Sequence, residues 1–216
     1  MNTLFVDFDG TICHDKFWRG LGETKAALVQ SFIFEKNQLL VNQWMCGKYT
    51  SEDVNEYISK ETGFEFQTLW NIFVDDCKTM SVDQDLLSLI VELRNKFKVV
   101  LITGNMDCFD RFTVPALKLE KYFDIIVNSY NEGQLKYINS GETFSEHIKG
   151  HFKNAYLVDD SSISCDIFCR LGGTALHVTK SATAHSHLEN LLSLSTTLRR
   201  DSFRNWSTSA PFIGNR

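Results

Sequence analysis

Five short runs of apolar and β-branched residues constrain the fold of this chain: TLFVDF at 3–8, VVLIT at 99–103, IIVN at 125–128, AYLV at 155–158 and ALHV at 175–178. Each is too short for a helix. Most are nearly continuous in apolar character, as strands covered on both faces must be. Amphipathic segments separate the later runs. Residues 85–97 place Leu86, Ile90, Leu93 and Phe97 on one stripe and end in basic residues; 109–122, 143–152, 163–171 and 185–194 are further helix candidates. Strands alternating with helices predict an α/β protein with a parallel, doubly wound, Rossmann-like sheet.

Residues 13–80 break the alternation. A helical pattern covers 21–44, with Leu28, Phe32 and Leu39 among its apolar positions. Thr50-Ser51-Glu52-Asp53 then forms a capping box that opens a helix through Ile58, with Gly63 as its stop. A third helix is expected over 67–78. So long a connection does not fit inside one α/β layer. The expected organisation is therefore a core domain made of 1–12 and 81–194, an inserted α-helical cap at 13–80, and a C-terminal tail at 195–216. The tail carries Arg199, Arg200, Arg204 and Arg216 against Asp201, with Phe203, Trp206 and Phe212 interspersed. It reads as a segment that packs back on the domain or stays mobile, in preference to a partner-binding arm.

Composition narrows the classes further. A formal net charge of −5 argues against a broad nucleic-acid-binding surface. With 43% hydrophobic and 23% charged residues the chain reads as an ordinary globular protein. No stretch approaches the roughly 18 uncharged apolar residues of a membrane span, and the start lacks the basic leader of a signal peptide. Cys13, Cys46, Cys77, Cys108, Cys165 and Cys169 are scattered. Cys165 and Cys169 share a helix face, but no second pair accompanies them as a zinc site requires. Reduced thiols in a cytoplasmic protein are the expectation.

The first run ends oddly. Asp7 and Asp9, separated only by Phe8, crowd two like charges at a strand end, where each raises the other's pKa. In an open parallel sheet ligands bind beyond the carboxyl ends of the strands. Gly10 and Thr11 follow the pair and suit a tight turn with exposed amides. A calcium loop fails on spacing, since Ile12 stands where the loop needs glycine and Trp18 where it needs glutamate. Other strand ends supply matching pieces. Thr103, Gly104 and Asn105 follow the second run, Lys136 lies after the third, and Asp159 and Asp160 close the fourth. Carboxylates converging with water form the hard oxygen site that Mg²⁺ prefers, and the cation removes the repulsion.

Asp7-Phe8-Asp9-Gly10-Thr11, Thr103-Gly104, Lys136 and Asp159-Asp160 together resemble the four ordered motifs of the haloacid dehalogenase (HAD) superfamily, over a stretch from Leu4 to about Val178. Each motif alone is weak; four in order, each at a predicted strand end, are strong. The resemblance implies that Asp7 is a nucleophile forming an aspartyl-phosphate and that Asp9 is the general acid and base. It also implies Mg²⁺ held by the Asp7 carboxylate, the Asp9 carbonyl and Asp159 with Asp160. Thr103, the Gly104 and Asn105 amides and Lys136 then hold the phosphoryl oxygens, beside Gly10 and Thr11. Asp9 favours phosphate esters over halides, which leave without a proton. Tyr137 stands where the family's phosphatases often carry proline.

The helical insertion resembles the family's first-type cap, which implies a small phosphorylated metabolite as substrate. Arg19, near the first motif, is the first candidate for a substrate contact, with Lys16 and Lys48 as further cations and Trp18 or Trp44 as ring-stacking candidates. The expected activity is a Mg²⁺-dependent phosphatase. A phosphomutase or phosphotransferase would share all four motifs. A binding protein on the same fold would not need the acidic groups together. A homo-oligomer is left open.

Overall fold

The computed structural model describes residues 2–148 and 151–193, so the tail at 195–216 lies outside the described residues. Five parallel strands, β1 (Asn2–Val6), β2 (Phe97–Thr103), β3 (Ile125–Asn128), β4 (Ala155–Asp159) and β5 (Thr174–His177), pair in the order β3-β2-β1-β4-β5. The chain adds β2 and β3 on one side of β1, then returns to add β4 and β5 on the other. The direction therefore reverses between β1 and β4, where open α/β sheets bind their ligands. Val6 pairs with both Leu101 and Val158, so β1, β2 and β4 end side by side.

Of the five α-helices between β1 and β2, four lie within residues 13–80: α1 (Glu23–Gln30), α2 (Gln38–Met45), α3 (Ser51–Thr62) and α4 (Phe66–Lys78). After them come α5 (Gln84–Leu93), α6 (Val114–Leu117), α7 (Ser129–Glu132), α8 (Glu142–Glu146), α9 (Ser162–Arg170) and α10, residues 184–193. Among the described residues no helix is long and apolar enough to cross a membrane.

Alternation along β1 divides the core between two faces of the sheet. Phe5 points to one side, where it meets Phe144 at 5.4 Å and Phe168 at 5.7 Å, each ring edge-on to the next. Leu4 and Val6 point to the other, into a cluster that continues through Phe109 and α5 into the helical insertion. There Phe17, Trp18, Trp44 and Phe73 pack together, with Trp18 and Phe73 centroids 5.0 Å apart. Both tryptophans are fully buried, which removes them as rings for stacking on a substrate. Their polar tips are satisfied, as buried indoles require. Trp18 Nε1 donates to Asn55 Oδ1 at 3.0 Å, and Trp44 Nε1 to Asp107 Oδ1 at 3.0 Å.

Several helices are shorter than their periodicity suggests. The 21–44 pattern breaks into α1, a π-helical segment Ser31–Glu35 and α2, because the Asn37 amide turns back to the Phe32 carbonyl at 2.7 Å. The break rotates the stripe: Val29, Ile33, Val41 and Trp44 are buried, whereas Leu28 and Leu39 are 52% and 71% exposed. Phe97 does not end a helix but opens β2, paired with Asn2. The 109–122 stretch is π-helical over Phe109–Thr113 and becomes α6 at Val114-Pro115. It turns at Lys118 through a positive φ of 55°. The capping box forms as expected, Thr50 N donating to Asp53 Oδ2 at 2.8 Å, and the helix runs on to Thr62 before Gly63.

Asp107 ties the insertion to the sheet layer. Besides Trp44 it accepts from Ser51 Oγ at 2.6 Å and from Arg111 at 2.6 Å. Asp107→Ala leaves the buried indole N–H and the Ser51 hydroxyl without an acceptor, at about 1–3 kcal/mol each. Urea unfolding should show a loss near the sum of the two. Glu52→Ala, which breaks only a half-exposed pair to Arg111, should cost under about 1 kcal/mol.

Candidate active site

The carboxyl ends of β1, β2 and β4 deliver Asp7, Thr103 and Asp159 to one edge of the sheet, and the loop after α7 delivers Lys136. Lys136 Nζ donates to Asp7 Oδ1 at 2.6 Å and lies 2.7 Å from Asp159 Oδ2. All three are buried. Asp159 is braced a second time by the Ser161 amide, which donates to Oδ1 at 2.8 Å.

After β1 the backbone turns tightly. Gly10 has φ +75°, and its amide donates to the Cys13 carbonyl at 2.8 Å. Asp160 leans over this turn, so that a Cβ at Gly10 would come within 2.0 Å of Asp160 Oδ2. Glycine is therefore required twice over, for its positive φ and for the carboxylate beside it.

Four acids surround one lysine, and the charges show it. Burial raises Asp7 well above the ordinary carboxyl range, and Asp159 adds to the rise against the lowering field of Lys136. Burial takes Asp9 up to about 7, again against Lys136, with Asp160 pushing upward. Asp160 is raised by partial burial and by Asp159. Burial opposes charge on Lys136, but Asp7 and Asp159 outweigh it and hold the ammonium protonated. The cluster thus carries an excess of negative groups that a cation would relieve. One oxygen from each of Asp7, Asp159 and Asp160 lies within 4.8 Å of the others. An all-oxygen set of this kind fits a hard divalent ion such as Mg²⁺.

Asp7, Asp9, Gly10, Thr103, Gly104, Lys136 and Asp160 share the wall of one cavity of about 610 Å³. Asp159 sits behind it, fully buried. Thr11 faces a neighbouring cavity on the far side of Gly10. The hydroxyls of Thr11 and Thr103 are buried with no hydrogen-bond partner among the described residues, which leaves Thr103 with a donor to offer an anion in the cavity.

Two expectations change. The Asn105 amide is not free, since it donates to Ser129 Oγ at 3.0 Å. Its side chain is the part that matters, donating from Nδ2 to Asp9 Oδ2 at 2.7 Å while Oδ1 accepts from Met106 N. Arg19 does not line the cavity. Its guanidinium donates to the carbonyls of Thr79 at 2.8 Å and Asp76 at 3.0 Å and pairs with Asp76, closing the base of the insertion. Lys16 does line the cavity, and Lys48 does not. The sequence reading missed Phe34, Val41 and Met45, which reach the cavity from the insertion. Val41 and Met45, four apart, share a face of α2, but Phe34 lies in the π-helical segment across the break at Asn37, so no single helical period joins the three.

No protein-family model matches the chain, and no curated protein matches it. Solved structures do. A HAD family enzyme from Bacteroides thetaiotaomicron, in complex with magnesium and inorganic phosphate, superposes with a TM-score of 0.66 at 22% identity. It covers 83% of this chain and 94% of its own. The fold is that of the haloacid dehalogenase enzymes. A predicted HAD-like family hydrolase from Porphyromonas gingivalis matches with a TM-score of 0.66 at 17% identity, over 89% of this chain and 98% of its own. The L-2-haloacid dehalogenase of Xanthobacter autotrophicus matches with 0.62 at 12% identity, over 84% and 80%. These HAD-fold neighbours span both phosphate-bound and dehalogenase chemistry, so the reaction must be argued from the residues.

The cation site has a direct test. Gly10→Ala must displace Asp160, and Mg²⁺ titration by calorimetry should show at least tenfold weaker binding with the circular dichroism spectrum retained. Unchanged affinity in the folded variant would remove Asp160 from the ligand set.

Proposed function

We propose that the protein is a Mg²⁺-dependent hydrolase of phosphate monoesters, working through an aspartyl-phosphate on Asp7. The observation that carries this reading is the pairing of Asp7, held by Lys136, with a second acid, Asp9, held separately by Asn105. A nucleophile alone would serve a dehalogenase, because a halide leaves without a proton. An alkoxide leaving group needs one, and a carboxyl raised to about 7 by burial is suited to supply it.

In this account Asp7 attacks phosphorus and the bond to the ester oxygen breaks as Asp9 passes its proton to that oxygen. Asp9, now ionised, takes a proton from water as the water oxygen attacks phosphorus. Phosphate leaves and the Asp7 carboxylate is restored. Lys136 holds Asp7 in place and offsets its charge as the anionic ester approaches. Thr103, whose hydroxyl has no hydrogen-bond partner among the described residues, donates to a phosphoryl oxygen. Asp7, Asp159 and Asp160 would hold Mg²⁺, which neutralises charge on the transferring group. Residues 13–80 act as a cap: α2 brings Phe34's neighbours Val41 and Met45 over the site and limits the entry of water.

Phosphate release from a panel of phosphomonoesters tests the reading. With Mg²⁺ the wild type should release phosphate without an added acceptor, and chelation or Asp7→Asn should abolish it. Asp9→Asn should slow turnover by about 10²–10⁴-fold. Release only when a hydroxylated acceptor is added would make the protein a phosphotransferase instead, and full activity in Asp7→Asn would exclude Asp7 as nucleophile.

A further inference from the structure

The cavity over the carboxylates is divided in its chemistry. At the sheet edge it is polar, as described. Away from that edge its wall is mainly apolar, with His14, Asp15, Lys16 and Tyr137 as its polar members. Phe34, Val41 and Met45 come from the helices of the insertion, Phe17 from its first loop, and Met106 and Leu135 from the core. Every residue that α1–α4 and the π-helical segment send to this cavity is apolar. The apolar wall starts right at the phosphate-binding end, because a Cβ on Gly104 would meet Leu135 Cδ2 at 3.8 Å and Met45 Sδ at 3.9 Å.

This wall is held in place. Ser129 Oγ, which accepts from the Asn105 amide, donates to the Met45 carbonyl at 2.8 Å. The end of α2 is thereby fixed to the same segment that positions Asp9. Gly47, just beyond, lies so close to the core that a Cβ there would meet the Tyr130 carbonyl at 2.8 Å. The entry loop adds His14, Asp15 and Lys16 to the cavity, but away from the side formed by Phe34, Val41 and Met45. Asp15 accepts from Ser81 N at 2.7 Å and pairs with Arg19, and His14 and Lys16 are exposed.

A cavity of about 610 Å³ falls within the roughly 300–1,000 Å³ of small-molecule sites and exceeds what a phosphoryl group fills. Hydroxyls of a sugar or polyol placed against Phe34, Val41 and Met45 would lose water without gaining partners. Carbon and hydrogen there would leave water favourably.

Resting on the phosphomonoester reading above, we propose that the group esterified to phosphate is an uncharged, apolar alkyl or aryl group, and that Val41 and Met45 are specificity-determining residues that select it over sugars and polyols.

The test compares 3-methylbutyl phosphate with glycerol 3-phosphate and a hexose 6-phosphate, all esters of primary alcohols, so leaving-group chemistry does not bias the ratio. The kcat/KM for the alkyl ester should exceed the others by at least tenfold. Val41→Thr and Met45→Gln, near-isosteric and so least disruptive to folding, should each reduce that ratio severalfold. Binding of 3-methylbutylphosphonate and of a dihydroxypropylphosphonate, measured by calorimetry with Mg²⁺, gives a second readout free of turnover. Tighter binding of the alkylphosphonate, lost in Met45→Gln, supports the proposal even if no ester is hydrolysed, a result that would count against the hydrolase reading alone. Equal or faster turnover of the hydroxylated esters, equal or absent binding of the two phosphonates, or a selectivity ratio indifferent to both substitutions would overturn it.

Discussion

A buried lysine held between two aspartates, Asp7 at 2.6 Å and Asp159 at 2.7 Å, is the contact on which the geometry of the site depends. Two carboxylates at neighbouring strand ends repel, and charge held away from water is costly. Lys136 offsets that cost for both and fixes the distance between them. It reaches them because β1 lies in the middle of the sheet with β4 beside it, and because the loop after α7 folds back over the strand ends. One cation cannot balance Asp7, Asp9, Asp159 and Asp160 together. The remaining negative charge suits the edge to a divalent ion, to which the proposed substrate's phosphoryl group would bring anionic oxygens.

The helical insertion completes the site from above rather than standing apart from it. Its aromatic cluster of Phe17, Trp18, Trp44 and Phe73 is continuous with the apolar layer beneath β1. Asp107 and Arg19 add polar ties at two places, so the base of the insertion is anchored by both kinds of contact. Ser129 bridges the Asn105 amide and the Met45 carbonyl, and Asn105 in turn holds Asp9. Any shift of α2 is therefore felt at the acid through only two intervening residues. In the proposed reaction the placement of Asp9, the proton donor, would therefore depend on where α2 sits.

Much of this was readable in the residues. Buried parallel strands leave continuous apolar runs, and the five runs lie on the five strands within two residues at each end. The carboxyl-end rule then places Asp7, Thr103 and Asp159 together without any knowledge of packing. Side-chain direction was not readable. Asn105 was expected to offer its backbone, whereas Ser129, distant in sequence, takes that amide and leaves the side chain for Asp9. Arg19 was expected at the substrate because it lies near Asp9 in the chain, but Asp76 and Thr79 are its neighbours in space. Helical periodicity failed where a local bond intervened, at Asn37, and there it concealed the face that lines the cavity.

The central claim is that Asp7 forms a reversible covalent bond to phosphorus at this edge of the sheet. Oxygen exchange between ¹⁸O-labelled inorganic phosphate and ordinary water tests it without knowledge of the substrate. Attack of Asp7 on phosphate expels a water molecule, and the return of solvent water replaces one labelled oxygen per cycle. With Mg²⁺ the label should wash out in the wild type and persist when the metal is chelated or in Asp7→Asn. Exchange that continues in Asp7→Asn, or a wild type that shows none with Mg²⁺ saturating, would contradict the account.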